Sequence, residues 1–320
     1  MLTILVSGAS GIIGYGILRS LRQSHLNCRL VGITVYERTA ARAFCDIFEV
    51  GPRTDDENYL PWLIQLINRW NVSIAIPGIE ADVLAWNEHR EVIQSAGAIA
   101  LLNNPDLIRL CADKWLFYQR LVEHKSPYAI PTRLEYDKIL GEFPLIGKPR
   151  RGSGSKGIVI IDNRGCLEAQ LAARGRSMIY QPIIGSVDEE YTCSGMFDTN
   201  GRLCSFITMK RTLSSGGFTE IAEPMELPAI EVALSHLGDI FKPIGPTNFQ
   251  VRVDNGEIRL LEINPRISSA TSIRAAFGYN ESAMAVDLFL NGIRPSQPHI
   301  KRGYAVRYTE DMVFYDGADL

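Results

Sequence analysis

At 320 residues, with 46% hydrophobic and 22% charged residues, the chain is long enough for two domains or a few lobes, each with its own core. A net charge of -3, from 33 basic and 36 acidic residues, supplies no general attraction toward nucleic acid or a membrane surface, and neither is expected as a partner. The six cysteines contain no C-x-x-C pair and the five histidines no H-E-x-x-H, which points to free thiols in a reducing cytoplasmic setting and away from a zinc site or a disulfide framework. The apolar start, residues 1–6, is short, has no basic leader and runs into glycines, so it reads as a strand; no stretch approaches the ~20 apolar residues of a membrane helix.

Residues 2–7 predict a buried strand, Gly8, Gly11 and Gly14 a tight turn, and Tyr15, Ile17, Leu18 and Leu21 an amphipathic helix. A second strand, 29–36, ends in Glu37, about where a dinucleotide-binding fold places its ribose acid. The glycines permit close helix–strand approach with or without a pyrophosphate, and the sequence holds no Tyr-x-x-x-Lys pair. An NAD(P)-binding oxidoreductase is therefore carried as an alternative. An apolar patch at 46–50, a helix at 58–70, a strand at 72–76, a helix at 82–95 and a strand at 98–101 continue the alternation, which implies a parallel sheet covered on both faces. Glu80 and Asp82 follow the fourth strand, where open sheets bind ligands; they face such a site or cap the next helix.

Asn104-Pro105 begins a new helix and marks a first boundary. Lys114 follows and, taken alone, reads as a surface lysine. From Pro127 onward strands dominate. The segment 144–149 ends in Lys148-Pro149, and Arg150-Arg151-Gly152-Ser153-Gly154-Ser155-Lys156-Gly157 leads into a strand at 158–161. Glycines, serines and cations between two strands suit either a solvated hairpin tip or a flap whose amides and charges close over phosphates. It is not a Walker loop, because a strand stands where that motif needs a helix. A helix at 165–173, a strand at 177–181 and a hinge at Pro182 complete a small lobe. Asp188-Glu189-Glu190-Tyr191-Thr192 opens a long hairpin that turns at 198–201 and returns through 203–211; a loop at 214–217, a core helix at 229–241, helices near Ile273 and at 282–290, and a strand at 304–308 follow.

The stretch 245–272 predicts a hairpin with chemistry at its end. Phe249, Val251 and Val253 alternate with Asn248, Gln250 and Arg252, and Glu262 and Asn264, two apart, share a face of the returning strand. A carboxylate and an amide oxygen at that spacing, with Arg266 beyond Pro265, suit Mg²⁺ and phosphate. A three-residue loop, 254–256, is expected to pair Asn248 with Glu262 and Gln250 with Leu260, so that Gln250, Glu262 and Asn264 lie on one face. A pairing of Asp254 with Glu257 contradicts that register.

The ordered set Lys114, Gly147-Lys148 with its flap, Gln181-Pro182-Ile183, Glu189-Glu190-Tyr191, Lys210-Arg211, Gln250 and Glu262-Ile263-Asn264-Pro265-Arg266 resembles the ATP-grasp superfamily, in its carbamoyl-phosphate-synthase-like branch. The resemblance spans nearly the whole chain. It implies an α/β and α+β fold: an N-terminal doubly wound, Rossmann-like parallel sheet at 1–103, then a two-lobed ATP-grasp fold with a small lobe at 104–181 and a large lobe at 182–320. It also implies ATP and two Mg²⁺ ions, with Mn²⁺ as a substitute. Lys114, Lys148 and the flap residues Gly152, Ser153, Gly154 and Gly157 are expected on the phosphates, Gln181 and the Ile183 backbone on adenine, and Glu190, or else Glu189, on ribose. Gln250, Glu262 and Asn264 are the expected metal ligands. Arg266, Lys148 and Arg211 are expected around the transferring phosphate, with Lys210 reaching phosphate or substrate.

The reaction implied is carboxylate–amine ligation through an acyl phosphate, with small-molecule acid and amine substrates. Ser268, Ser269 and Thr271 could receive a carboxylate at a helix start or simply cap it, and Arg274 could pair with a substrate acid or stand exposed. A non-catalytic ATP-binding subunit is a further alternative, and a homo-oligomer is allowed.

Overall fold

The structure, a computed structural model, describes residues 1–135, 142–152, 156–214 and 216–315. The N-terminal alternation produces a five-stranded parallel sheet in the order β3-β2-β1-β4-β5, from β1 (Leu2–Val6), β2 (Cys28–Thr34), β3 (Ile47–Val50), β4 (Ile74–Ile76) and β5 (Ile99–Ala100). Its connections are α1 (Ile12–Arg22), α2 (Tyr59–Trp70), α3 (Glu80–Glu88) and α4 (Arg90–Ser95). Strand alternation divides the core: Ile4 and Val6 pack with Ile17, Leu18 and Leu21 of α1, and Leu5 packs on the other face with Leu63, Ile67 and Trp86. The single helix expected over 82–95 is two helices broken at His89, and the strand expected to reach Tyr36 ends at Thr34, leaving Tyr36 exposed.

Backbone packing accounts for the glycine turn. A Cβ at Gly14 would lie 2.2 Å from the Gly8 carbonyl oxygen, one at Gly78 2.2 Å from that of Ser7, and one at Gly8 2.5 Å from the Ile79 side chain. These glycines let the β1–α1 and β4–α3 turns touch, so they provide no separate signal for a nicotinamide cofactor. Glu37 is exposed.

Next come α5 (Pro105–Cys111) and α6 (Lys114–Glu123), capped by Asn104 and Asp113, whose side-chain oxygens accept from the first free amides of each helix. A three-stranded antiparallel sheet follows, β7-β6-β8, from β6 (Leu145–Pro149), β7 (Val159–Ile161) and β8 (Met178–Pro182), with α7 (Arg164–Arg174) between the last two. The largest sheet has the order β13-β12-β9-β10-β11-β14, from β9 (Glu190–Phe197), β10 (Leu203–Leu213), β11 (Thr219–Pro224), β12 (Gly245–Asp254), β13 (Glu257–Asn264) and β14 (Ala305–Val306). Its helices are α8 (Pro228–Phe241), α9 (Thr271–Ala276) and α10 (Glu281–Asn291). Leu107, Phe117 and Leu121 of α5 and α6 share a core with α8 and the large sheet, and Phe117 stacks on Phe241 at 5.3 Å. Segment 104–123 therefore packs with the large sheet, although the sequence reading grouped it with the small lobe. Val286 and Leu288 of α10 join the α1 face of the N-terminal sheet.

The hairpin register differs from the expected one. Asp254 pairs with Glu257 across a two-residue turn in which Asn255 and Gly256 both have positive φ, 50° and 82°. The odd residue lies in the returning strand: Val251 pairs with Leu260 but Gln250 with Glu262, so Leu261 is bulged. That bulge brings Gln250 opposite Glu262 and Asn248 opposite Asn264. The shared face exists, produced by Leu261 and not by a longer turn.

Behind this hairpin a fully buried ion pair ties the helices to the sheet. The guanidinium of Arg274 reaches Glu281 at 3.0 Å, Ser268 at 2.9 Å, Asn248 at 2.7 Å and Thr192 at 3.0 Å, and Ser194 donates to Glu281. Removing one partner strands a charge without water. Glu281→Ala is expected to destabilise the fold by about 3 to 5 kcal/mol in urea denaturation.

Candidate functional site

The three-stranded and six-stranded sheets, with α6, line a cleft of about 250 Å³ in which apolar side chains alternate with polar ones. Lys114, Lys148, Gly152, Gln181, Ile183, Glu190, Gln250, Glu262 and Asn264, which the sequence reading selected from distant segments, all line it. Lys148 enters from β6, and burial lowers its ammonium pKa, with Glu262 opposing that effect. Lys114 is lowered for the same first reason, burial, against the pull of Glu262 and Glu80. Its Nζ donates to the Gly152 carbonyl at 2.7 Å, which ties the start of the flap to α6. Gly157 lies outside the cavity lining, with φ +74° and a Cβ position 3.0 Å from the Pro149 ring, while Ser153 and Gly154 fall outside the described residues.

On the large-sheet side, Glu190 is held between two guanidiniums. Arg211 reaches it at 2.6 Å and Arg252 at 2.9 Å; Arg211 also donates to the Gln250 oxygen at 2.8 Å, and Arg252 to the Ile184 carbonyl at 3.0 Å. The chain continues along β13. Asn264 donates to Glu262 at 2.9 Å and accepts from Arg266 at 3.2 Å, and Arg266 pairs with Glu80 at 3.3 Å. Glu80 stands at the first turn of α3, where the β4–α3 turn delivers it to the cleft, whereas Asp82 is buried and accepts from Thr54 and Tyr59. Of the two acids proposed for that turn, one faces the site. Burial first, then Glu80 and Glu262, push the Cys111 thiol well above its ordinary value.

Other expected residues are placed elsewhere. Lys210 pairs with Glu189 at 3.3 Å on the opposite side of β10 from Arg211, and Glu189 accepts from Tyr191. Arg274 is neither exposed nor open to a substrate acid, because its partners are the buried groups described above. Ser268 accepts from Arg274, Thr271 lies against Ser282, and the Ser269 carbonyl accepts from Arg307. Arg252 was missed, though it follows Gln250 by two residues and so shares its face; Thr132, in the loop before β6, carries no local signal.

A family model described as "ATP-grasp in the biosynthetic pathway with Ter operon" matches residues 186–312. No sequence among curated proteins matches significantly. Among solved structures, biotin carboxylase from Campylobacter jejuni, a β,γ-ATP complex, superposes with TM-score 0.73 at 16% identity over 94% of this chain and 74% of its own. N5-carboxyaminoimidazole synthetase from Staphylococcus aureus with ADP gives 0.72 at 17%, over 93% and 80%. The chain has an ATP-grasp fold. The biotin carboxylase domain of Hydrogenobacter thermophilus 2-oxoglutarate carboxylase, with MgADP, ADP and bicarbonate, gives 0.72 at 15%, over 94% and 73%. The fold agrees with the superfamily resemblance read from the motif order, and the cleft lies between the two antiparallel sheets. Among the described residues no helix is long and apolar enough to cross a membrane.

Asp113 anchors the flap side of the cleft. Its carboxylate caps α6 and takes Arg150 Nε at 2.7 and 2.8 Å and Arg151 at 3.4 Å. Burial raises its pKa, but the Arg150 hydrogen bond, the cap amides and the Arg150 charge outweigh that and leave it below the ordinary value. A depressed carboxyl contributes stability above its unfolded value, about 3.9, and loses it as pH falls through the lower folded value. Asp113→Asn is therefore expected to cost about 1.5 to 3 kcal/mol at pH 7, with the gap from wild type closing in strong acid, as read by denaturation at a series of pH values.

Proposed function

We propose that the protein is an ATP-dependent ligase that phosphorylates a small-molecule carboxylate and passes the acyl group to an amine, releasing ADP and phosphate. One observation carries the reading. Cations from α6 and β6, a glutamine at the end of β8 and the Gln250–Glu262–Asn264 face converge on one cleft, in an arrangement suited to a polyphosphate at one end and a divalent cation at the other.

A carboxylate is a poor acyl donor because oxide would have to leave; a phosphoryl group supplies a better leaving group. Lys148 and Lys114 would stabilise charge on the phosphates, held by walls that keep water from screening it. Gln181 and the Ile183 backbone would hold the base. Glu190 would reach ribose hydroxyls only as an already paired carboxylate, and Arg211 and Arg252 fix its orientation. Glu262, Gln250 and Asn264 offer hard oxygen donors that fit Mg²⁺, and Glu80 adds a second carboxylate beyond Arg266. Bound there, Mg²⁺ would neutralise phosphate charge. Arg266, tied to Asn264 and Glu80, would lie beside the transferring phosphate. The flap from Gly152 to Gly157 would exclude water from the acyl phosphate.

The acid-binding side chains expected at 268–274 are engaged in the buried network, so the acceptor is left to the face formed by Glu80, Arg266 and the β1–α1 turn. Domain limits at 103 and 181 remain part of this reading, with α5 and α6 built onto the large sheet. A phosphate-release screen with ATP and Mg²⁺ over amino acids, small carboxylates and bicarbonate, with product masses measured, tests the reaction. NADH binding without ATP binding, or phosphate release with none of the panel, argues against it. Glu262→Gln is expected to abolish Mg²⁺-dependent turnover while leaving the denaturation midpoint nearly unchanged; near-normal turnover removes Glu262 from the metal site.

Lys148 supplies a test independent of turnover. Its free-state pKa is lowered by burial, and an arriving polyphosphate restores the charged form. At alkaline pH just under the ordinary lysine value, about 10.4, nucleotide binding is expected to take up protons, seen as a buffer-dependent binding enthalpy. Lys148→Ala is expected to lose that uptake and weaken binding about tenfold or more.

A further inference from the structure

One wall of the cleft carries a hydrogen-bond chain whose direction is forced. Thr132 is wholly buried, and its Oγ1 lies 2.8 Å from the Ile130 carbonyl oxygen and 2.8 Å from the Gln181 side-chain amide. A carbonyl oxygen only accepts, and a hydroxyl has one proton to give. Thr132 therefore donates to Ile130 and has only lone pairs left for Gln181. The end of the Gln181 amide that meets it must be the NH2 group, whichever way nitrogen and oxygen are drawn. The oxygen is the other end, and Gln181 lines the cleft beside Ile183.

From this polarity we infer that Thr132 is a positioning residue that sets the base selectivity of the cleft, by holding Gln181 with its carbonyl oxygen available to accept from an exocyclic amine. The inference rests on the nucleotide reading of the cleft. The ligand chemistry is a purine with an amino group at C6; a carbonyl there would meet the Gln181 oxygen lone pair against lone pair. A glutamate at 181 accepts in either orientation. A glutamine accepts in one of its two flipped states only, and the buried hydroxyl selects between them, because the flipped state would either set two oxygens against each other or draw the hydroxyl proton away from the Ile130 carbonyl.

The probe is purine riboside triphosphate, which differs from ATP only in lacking the 6-amino group. The wild-type protein is expected to bind ATP about tenfold or more tightly than this probe, the net worth of one buried hydrogen bond. Thr132→Val keeps the shape and removes the hydroxyl; its ratio is expected to fall to about one, since the amide can then turn. Thr132→Val/Gln181→Glu is expected to restore the ratio, because a carboxylate needs no orienting partner. Melting curves check that each variant is folded. Should the valine variant fail to fold, Gln181→Met is expected to bring the ratio to about one, and Thr132→Ser to keep it near wild type.

Equal wild-type affinities for the two nucleotides would overturn the inference while leaving the nucleotide site standing. A folded Thr132→Val that keeps the full ratio, or a Gln181→Met that does, would remove the orienting role. A glutamate double variant that stays at one would do the same. Binding of neither nucleotide by the wild-type protein would remove the underlying reading of the cleft as well.

Discussion

A single surplus residue in one strand decides the chemistry of this protein. Side chains on a strand alternate with a period of two, so a slip of one residue sends every polar group to the opposite face. The turn at Asn255-Gly256 by itself would set Gln250 across from Leu261. The bulge at Leu261 cancels that slip, and Gln250 meets Glu262. Val251 opposite Leu260 follows from the turn alone, and the bulge then brings Phe249 opposite Ile263, so that both pairs face the core. The core face and the polar face thus depend on one local irregularity, and neither can be moved without the other.

The polar groups of the cleft form two hydrogen-bonded runs that meet at the pairing of Gln250 with Glu262. Glu190 is paired with Arg211 and Arg252, Arg211 passes to Gln250, and Glu262, Asn264, Arg266 and Glu80 continue the line toward the parallel sheet. Lys148 has little water of its own, and Glu262 is the first of the charges that favour its ammonium form. A fixed array of this kind holds its dipoles before any ligand arrives, which lowers the reorganisation a charged ligand must cause. The separate Arg274–Glu281 pair braces the array from behind through Asn248, the residue across from Asn264.

Much of the architecture was legible before the fold was known. Regular alternation identified the parallel sheet, Asn104-Pro105 the start of α5, and the order of scattered lysines, glutamates and amides the ATP-grasp fold. Local signals failed where the packing of helices on the sheet chose a group's partner. Arg274 reads in sequence as an arginine after a run of hydroxyl residues, suited to an acid ligand. The fold supplies that acid from Glu281. Glu80 resembled a helix-cap acid and proved to be cleft-facing because the β4–α3 turn, with Gly78 packed against Ser7, aims it there.

The sequence by itself determined which segments are strands and helices, and which polar residues share a face within one strand, because hydrophobic period and turn chemistry act over a few residues. It also carried the motif order that marks the superfamily. Tertiary structure alone decided the register that sets Gln250 opposite Glu262, the withdrawal of Arg274 into a buried pair, and the orientation of Gln181 by Thr132. Each of these rests on the count of residues between two pairings or on groups from other elements: Asn248 and Thr192 of the large sheet, which hold Arg274 beside Glu281, and Thr132 beside Gln181. Such partners are selected by the packing of whole sheets, and no local pattern encodes them.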